Sequence, residues 1–275
     1  MKPGLTAEQI AADLHALGIQ PGDDVLMHSS LSSLGWVEGG AETVVDALLL
    51  AVSPQGTALA PALTGSPEDG PQRPPRLDVR ATPCAPWIGR IPEAFRRRPE
   101  ARRSRHPTHS VCAIGARAEL YTTGHEFCAV PCGPGSPYVR LMDLGGRILL
   151  LGCTQESNTS LHALEELANV PYHLQEAVTD AIVIDEEGRE IIVRGRLHQW
   201  GWARAFARVD DPLRAAGAMS EGKVGSAHAR LIDAAGLRAV VLPRLLADPL
   251  YLLTDAARAA FLEHSSRSQR QEPLP

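Results

Sequence analysis

Arg147-Ile148-Leu149-Leu150-Leu151-Gly152-Cys153 runs through Thr154-Gln155-Glu156-Ser157 into Asn158-Thr159-Ser160-Leu161-His162-Ala163-Leu164-Glu165. The first segment is apolar, of strand length, and stops at a glycine; after the polar turn, Leu161, Leu164, Leu167 and Ala168 recur with a helical period. A buried strand feeding a helix is the repeating unit of α/β proteins. The turn between the two is where such proteins expose reactive side chains and unpaired backbone N–H groups. His162 and Glu165 are three residues apart and share one helix face. A neighbouring carboxylate fixes the tautomer of an imidazole and makes it a better base. A histidine in a first helical turn also serves as a capping or packing residue, so the rest of the chain has to decide between the two.

The same alternation extends outward from this unit. Thr6 and Gln9 have the spacing of a capping box, and Ile10, Leu14 and Leu17 form the apolar stripe of a helix that Gly18 and Pro21-Gly22 terminate. Strands are expected over 24–31, 57–63, 110–115 and 147–153, and helices over 41–52, 87–98, 116–123 and 159–170. Such a succession predicts an α/β fold with a mixed, mainly parallel central sheet. Val178 to Asp185 and Glu190 to Leu197 flank Glu186-Glu187-Gly188-Arg189, which reads as a hairpin adding antiparallel strands to that sheet. Residues 64–80, with prolines at 67, 71, 74 and 75, read as a surface loop. One domain over 1–264 is expected, with 265–275 as a disordered tail.

Composition limits the function classes. Of 275 residues, 44% are hydrophobic and 21% charged, the balance of a globular chain with a real core. A net charge of −5 and only two lysines, Lys2 and Lys223, argue against nucleic-acid binding. The start of the chain leads directly into an amphipathic helix, and no apolar run reaches membrane-spanning length, so a cytoplasmic protein with no membrane partner is expected. The five cysteines are odd in number, form no C-x-x-C pair and read as reduced, buried thiols. Their spacing with the histidines is not that of a zinc motif, and no metal is expected.

Four polar segments follow strands or precede helices: 28–36, 103–110, 133–137 and 158–165. In an open α/β sheet they converge at the carboxyl ends of the strands. The serines of 29–33 could cradle phosphates or form a Ser-rich turn that caps the next helix. Taken together the segments resemble the aminoglycoside 3-N-acetyltransferase family over about residues 6–250. The resemblance rests on Met27-His28-Ser29-Ser30-Leu31-Ser32-Ser33-Leu34-Gly35-Trp36-Val37 with Gly39-Gly40, on Ile91-Pro92-Glu93-Ala94-Phe95-Arg96, and on Arg103-Ser104 with His106-Pro107-Thr108-His109-Ser110. Gly133 to Pro137, Ser157-Asn158-Thr159-Ser160-Leu161-His162 and Gly222-Lys223-Val224-Gly225 complete it.

The resemblance implies a three-layer α/β/α sandwich and an acetyl-CoA-dependent enzyme, a monomer or homodimer, that acylates the 3-amino group of a 2-deoxystreptamine aminoglycoside antibiotic. By the same likeness, His28, Ser29, Ser30, Leu31, Ser32, Ser33, Gly35, Trp36 and Val37 bind CoA, with Arg103, Ser104 and Ser110 nearby. His162 corresponds to the family's essential base, and Glu165 and His109 join it as catalytic candidates. Backbone N–H groups near the thioester carbonyl would form its oxyanion site. One departure concerns the acceptor. Where the family tends to carry acidic residues, this chain has Val193-Arg194-Gly195-Arg196-Leu197-His198-Gln199-Trp200-Gly201-Trp202-Ala203-Arg204. A polycationic acceptor then requires Arg194, Arg196 and Arg204 to point away or pair with acids, because an unpaired cation beside an ammonium is repulsive. Asp69, Asp78, Asn158, Glu166 and His198 are the candidate acceptor contacts. The alternatives are an acyl-CoA-dependent enzyme acting on another amine, a hydrolase built on a Cys/His metal site, and a non-catalytic acyl-CoA-binding protein.

Overall fold

In the computed structural model, which describes residues 4–271, the apolar runs assemble into two sheets. The first helix is α1 (Ala7–Leu17); both hydrogen bonds of the Thr6–Gln9 capping box are present, and Ile10, Leu14 and Leu17 are buried. In chain order the remaining elements of the first half are β1 (Asp24–Ser29), α2 (Ala41–Val52), β2 (Thr57–Pro61), β3 (Arg76–Asp78), α3 (Arg90–Arg96), β4 (Arg102–Arg103), β5 (Val111–Gly115), α4 (Ala118–Thr122) and α5 (Pro137–Asp143). The second half contributes β6 (Arg147–Leu151), α6 (Ser160–Leu167), β7 (Leu174–Ile184), β8 (Glu190–His198), α7 (Asp210–Ala215), β9 (Met219–Val224), β10 (Ala227–Asp233), α8 (Ala234–Ala247) and α9 (Asp255–Gln271).

The larger sheet has the order β4-β5-β2-β1-β6-β10-β9, with Leu26 opposite Ile148 at its centre. Strand alternation sends Leu26, Ile148 and Leu150 to one face, where residues of α5, α6 and α8 pack on them. Val25, Met27, Leu149 and Leu151 go to the other face, against α1 and α2. The result is the three-layer α/β/α sandwich with a mixed sheet. The expectation that it is mainly parallel is corrected: β1 pairs parallel with β2 and β6, while the β2–β5, β4–β5, β6–β10 and β9–β10 pairings are antiparallel. The turn Gly225-Ser226 shows why on one side. A two-residue connection joins only antiparallel neighbours, and Gly225 supplies the positive φ of 56° that the turn needs.

The hairpin at 174–198 forms as predicted, but it does not join this sheet. β6 already has β1 on one side and β10 on the other, so no edge is open to it there. Instead β7 and β8 build a second sheet, with β3 pairing parallel to β7. Residues 64–80 are therefore more than a surface loop: Arg76–Asp78 is a strand, and Leu77 and Val79 are buried in a small core with Val183 and Val193. From residue 265, where a disordered tail is expected, α9 continues to Gln271; residues 272–275 lie outside the described residues. No helix among the described residues is long and apolar enough to cross a membrane.

Candidate active site

The carboxyl ends of β1, β2 and β6 open onto a cavity of about 1180 Å³, lined also by β8 and the segment 199–204. From the first polar segment, His28, Ser29, Ser30, Leu31, Ser32, Gly35, Trp36 and Val37 face it. The serine hydroxyls mainly fasten the loop. Ser33 Oγ donates to Ser30 Oγ at 3.1 Å and to the Gly152 carbonyl at 3.0 Å, and Ser33 itself does not line the cavity. Gly152 has φ of 70°, and a Cβ there would fall 2.5 Å from that of Ser33, so glycine is required where the loop meets the end of β6. Gly39 and Gly40 also line the cavity, and Gly40 caps α2 with no side-chain hydrogen bond, leaving the first-turn N–H groups of this helix without a side-chain acceptor. His28 Nε2 and Ser29 Oγ are buried there with no hydrogen-bond partner among the described residues. Burial and His162 push the His28 imidazole down to about 3.

His162 reaches the cavity from the first turn of α6 with its side chain about a quarter exposed, and its Nδ1 lies 2.6 Å from Glu165 Oε2. Glu165 is fully buried and its second oxygen accepts from Arg204 Nε at 3.2 Å. Burial alone would raise the Glu165 carboxyl; His173, the His162 hydrogen bond and Arg204 outweigh it and hold it below the ordinary carboxylate range. An ionised Glu165 can only accept, so the His162 Nδ1 is the donor and Nε2 carries the lone pair. Arg204 is fixed in turn by the Trp202 carbonyl, by His173 Nδ1 at 3.0 Å and by the Tyr172 ring 5.1 Å away.

Three further histidines crowd behind this pair. His173 stacks on His162 at 4.9 Å, and His198 lies 4.0 Å from His109 and 4.1 Å from His173, ring centre to ring centre. Burial pushes His173 down to about 3 and holds His109 and His198 well below the usual histidine range, so all three are neutral at physiological pH. Burial likewise holds the Glu166 carboxyl well above its usual range, against the N–H groups of Cys132 and Gly133. Glu166 and His198 share a hydrogen bond, with His198 Nε2 2.7 Å from Glu166 Oε1.

The cavity does not collect every residue that the sequence nominated. Arg103 is buried elsewhere, donating to Ser110 Oγ and to the carbonyls of Thr82 and Ala62. Ser110 Oγ donates to Ala62 and Ser104 Oγ pairs with His125, so all three brace β4 and β5 and none contacts the cavity. Asp69 and Asp78 accept backbone N–H groups within their own loop, and Asn158 bonds Gln155 and the Ser160 N–H. None of these three lines the cavity either, nor does Glu166, which His198 and Cys132 cover. Arg194 faces Asp180, and Arg196 donates to the Gln175 carbonyl, so both point away. Glu156, a candidate acid of the sequence reading, does line the cavity; that reading missed Arg90, which also lines it, and the specific pairing of Arg204 with Glu165.

The described geometry has close counterparts. Residues 26–245 match the family model described as aminoglycoside 3-N-acetyltransferase. Aminoglycoside N(3)-acetyltransferase VII of Streptomyces paromomycinus is 36% identical over 259 residues, covering 84% of this chain and 88% of that one. Among solved structures, sisomicin-bound AAC-VIa superposes with a TM-score of 0.78 at 29% identity, over 89% of this chain and 99% of that one. A binary complex of AAC-IIIb with CoASH gives 0.75 at 29%, over 88% and 97%.

Proposed function

That the chain belongs to the aminoglycoside 3-N-acetyltransferase family is the premise from which we propose its reaction: transfer of an acetyl group from acetyl-CoA to an amine, the 3-amino group of an aminoglycoside, with His162 as general base. The observation that carries this reading is His162 in the cavity wall, with Nδ1 committed to a buried carboxylate and Nε2 left basic. Bound acetyl-CoA supplies the acetyl thioester. The residues present fit it: His28 Nε2 and Ser29 Oγ are unpartnered, the N-terminus of α2 is capped only by glycine, and Arg90 follows Gly89, which sits against the Ser29 carbonyl. A helix N-terminus and an arginine are the groups that hold a pyrophosphate. At the acceptor end His162 takes the proton that an attacking amine must lose, Glu165 and Arg204 keep the resulting imidazolium oriented, and His162 can return the proton to the departing sulfur.

A second reading of the acceptor is favoured by the charge of the lining. Glu156 is the one carboxylate among the lining residues and faces the cation of Arg90, since Arg204 is paired with Glu165 behind the wall, and Trp36, Trp87, Trp200 and Trp202 supply apolar faces. Such a wall suits an amine of low charge better than a polycation. A thiol-release assay with acetyl-CoA and a panel of amines tests both. Turnover with kanamycin-like compounds supports the aminoglycoside acceptor, and turnover confined to monoamines supports the second reading. Absence of thiol release with every amine, together with no binding of CoA, overturns the proposal.

A further inference from the structure

Beside His162 the fold gathers donor atoms that spacing along the chain did not bring together. His109 precedes β5, Cys132 lies in the loop before α5, and His198 ends β8; one donor atom from each lies within 4.8 Å of the other two. All three residues are buried. We infer that His109, Cys132 and His198 form a binding site for one divalent metal ion of the zinc class, with its fourth position open to the cavity.

The surroundings of each donor favour this. Thr108 Oγ1 holds His109 Nδ1 at 2.9 Å and Glu166 holds His198 Nε2 at 2.7 Å, leaving His109 Nε2 and His198 Nδ1 as the uncommitted nitrogens. A second partner on the far nitrogen is what orients metal-binding histidines. Cys132 is pinned on both sides, its N–H donating to Glu166 Oε2 at 2.8 Å and its carbonyl accepting from Ser136 Oγ at 2.6 Å. One thiolate and two imidazoles are the donor set that selects zinc over magnesium or calcium. Bond lengths of about 2.0 Å to nitrogen and about 2.3 Å to sulfur place tetrahedral donors about 3.5 Å apart, a spacing that these three, already within 4.8 Å of one another, reach by small side-chain movements. His109 and His198 both line the cavity, which gives the fourth position to water or to a donor group of the acceptor. The other two donor groupings, built on His173 with Glu165 or Glu166, lack a thiolate.

Binding as the thiolate releases the Cys132 thiol proton, so affinity should rise with pH.

The test uses the whole chain and no substrate. After dialysis against zinc, metal analysis should find one ion per chain. Replacement by cobalt should give a near-ultraviolet thiolate-to-cobalt band that Cys132→Ser removes and Cys153→Ser keeps. Glu166→Gln should weaken zinc binding about 10-fold to 100-fold. If Cys132→Ser fails to fold, the cobalt spectrum of the unaltered chain decides alone. Less than a tenth of an ion per chain, no thiolate band, or a band that follows Cys153 overturns the site. Because the readout is metal and not turnover, the outcome is separate from that of the acetyl-transfer reading.

Discussion

The 2.6 Å contact between His162 Nδ1 and Glu165 fixes the tautomer of His162, and Glu165 also neutralises Arg204 in a buried setting. Two predictions follow from these two consequences. His162→Ala should lower turnover about 100-fold to 10,000-fold, the usual worth of a general base, with CoA affinity nearly unchanged. Near-normal turnover in that variant would move the role to His109 or His198. Glu165→Gln should cost about 3–5 kcal/mol of stability, because Arg204 is left as an uncompensated buried cation. The double change Glu165→Gln with Arg204→Leu should recover part of that loss in denaturant melts; no recovery would show that Arg204 is not what Glu165 balances. Much of this was legible in the sequence: the three-residue spacing of His162 and Glu165 already places them on one helix face. Arg204 was not, because it read as a cation that repels the acceptor, and only its return to α6 shows that it serves the carboxylate.

Among the elements, those specified locally were the readable ones. A capping box and an apolar stripe define α1, and α2 spans Ala41–Val52 as its periodicity requires. The hairpin of β7 and β8 was readable as a hairpin but not as part of a second sheet. Its third strand lies about a hundred residues earlier in a proline-rich stretch, where Leu77 and Val79 alone betray a buried side. Parallel direction was misjudged for a related reason: alternation of strands and helices does not report which strands return by a tight turn. Position in the sheet matters to function, since β8 carries His198 to the cavity. Its approach depends on Gly195, where a Cβ would fall 2.6 Å from the Ala129 carbonyl oxygen while Arg196 N–H donates to that same oxygen at 2.9 Å. Gly195→Val should therefore cost about 1–3 kcal/mol through overpacking. It should also reduce turnover by displacing His198. A variant that melts like the parent with full activity would refute the close packing.

Over the whole molecule, the concentration of buried histidines sets an acid limit. Burial brings His28 and His173 to about 3 and His125 to about 4, below the unfolded value of about 6.5. With the folded values depressed, the unfolded chain binds these protons first as pH falls. The neutral forms contribute their full stability above about pH 6.5, and it is lost as pH drops toward 4 and 3. In that window each such histidine should subtract about 1.4 kcal/mol per pH unit. Melting temperatures should thus fall steeply between pH 6.5 and 5, and a flat profile there would show that these rings are charged in the folded state. The two sheets divide the labour unequally: the larger one, with α2 and α6, presents the loop at 28–37, Arg90 and His162, while β8 and the segment after it bring His198, Trp200, Trp202 and Arg204. The lining of the proposed site is thus drawn from two separate sheets of one chain. Under the proposed acetyl-transfer reading, grafting residues 174–204 from a relative should exchange the recognised amine while acyl transfer stays intact, so that the hairpin behaves as an exchangeable cassette.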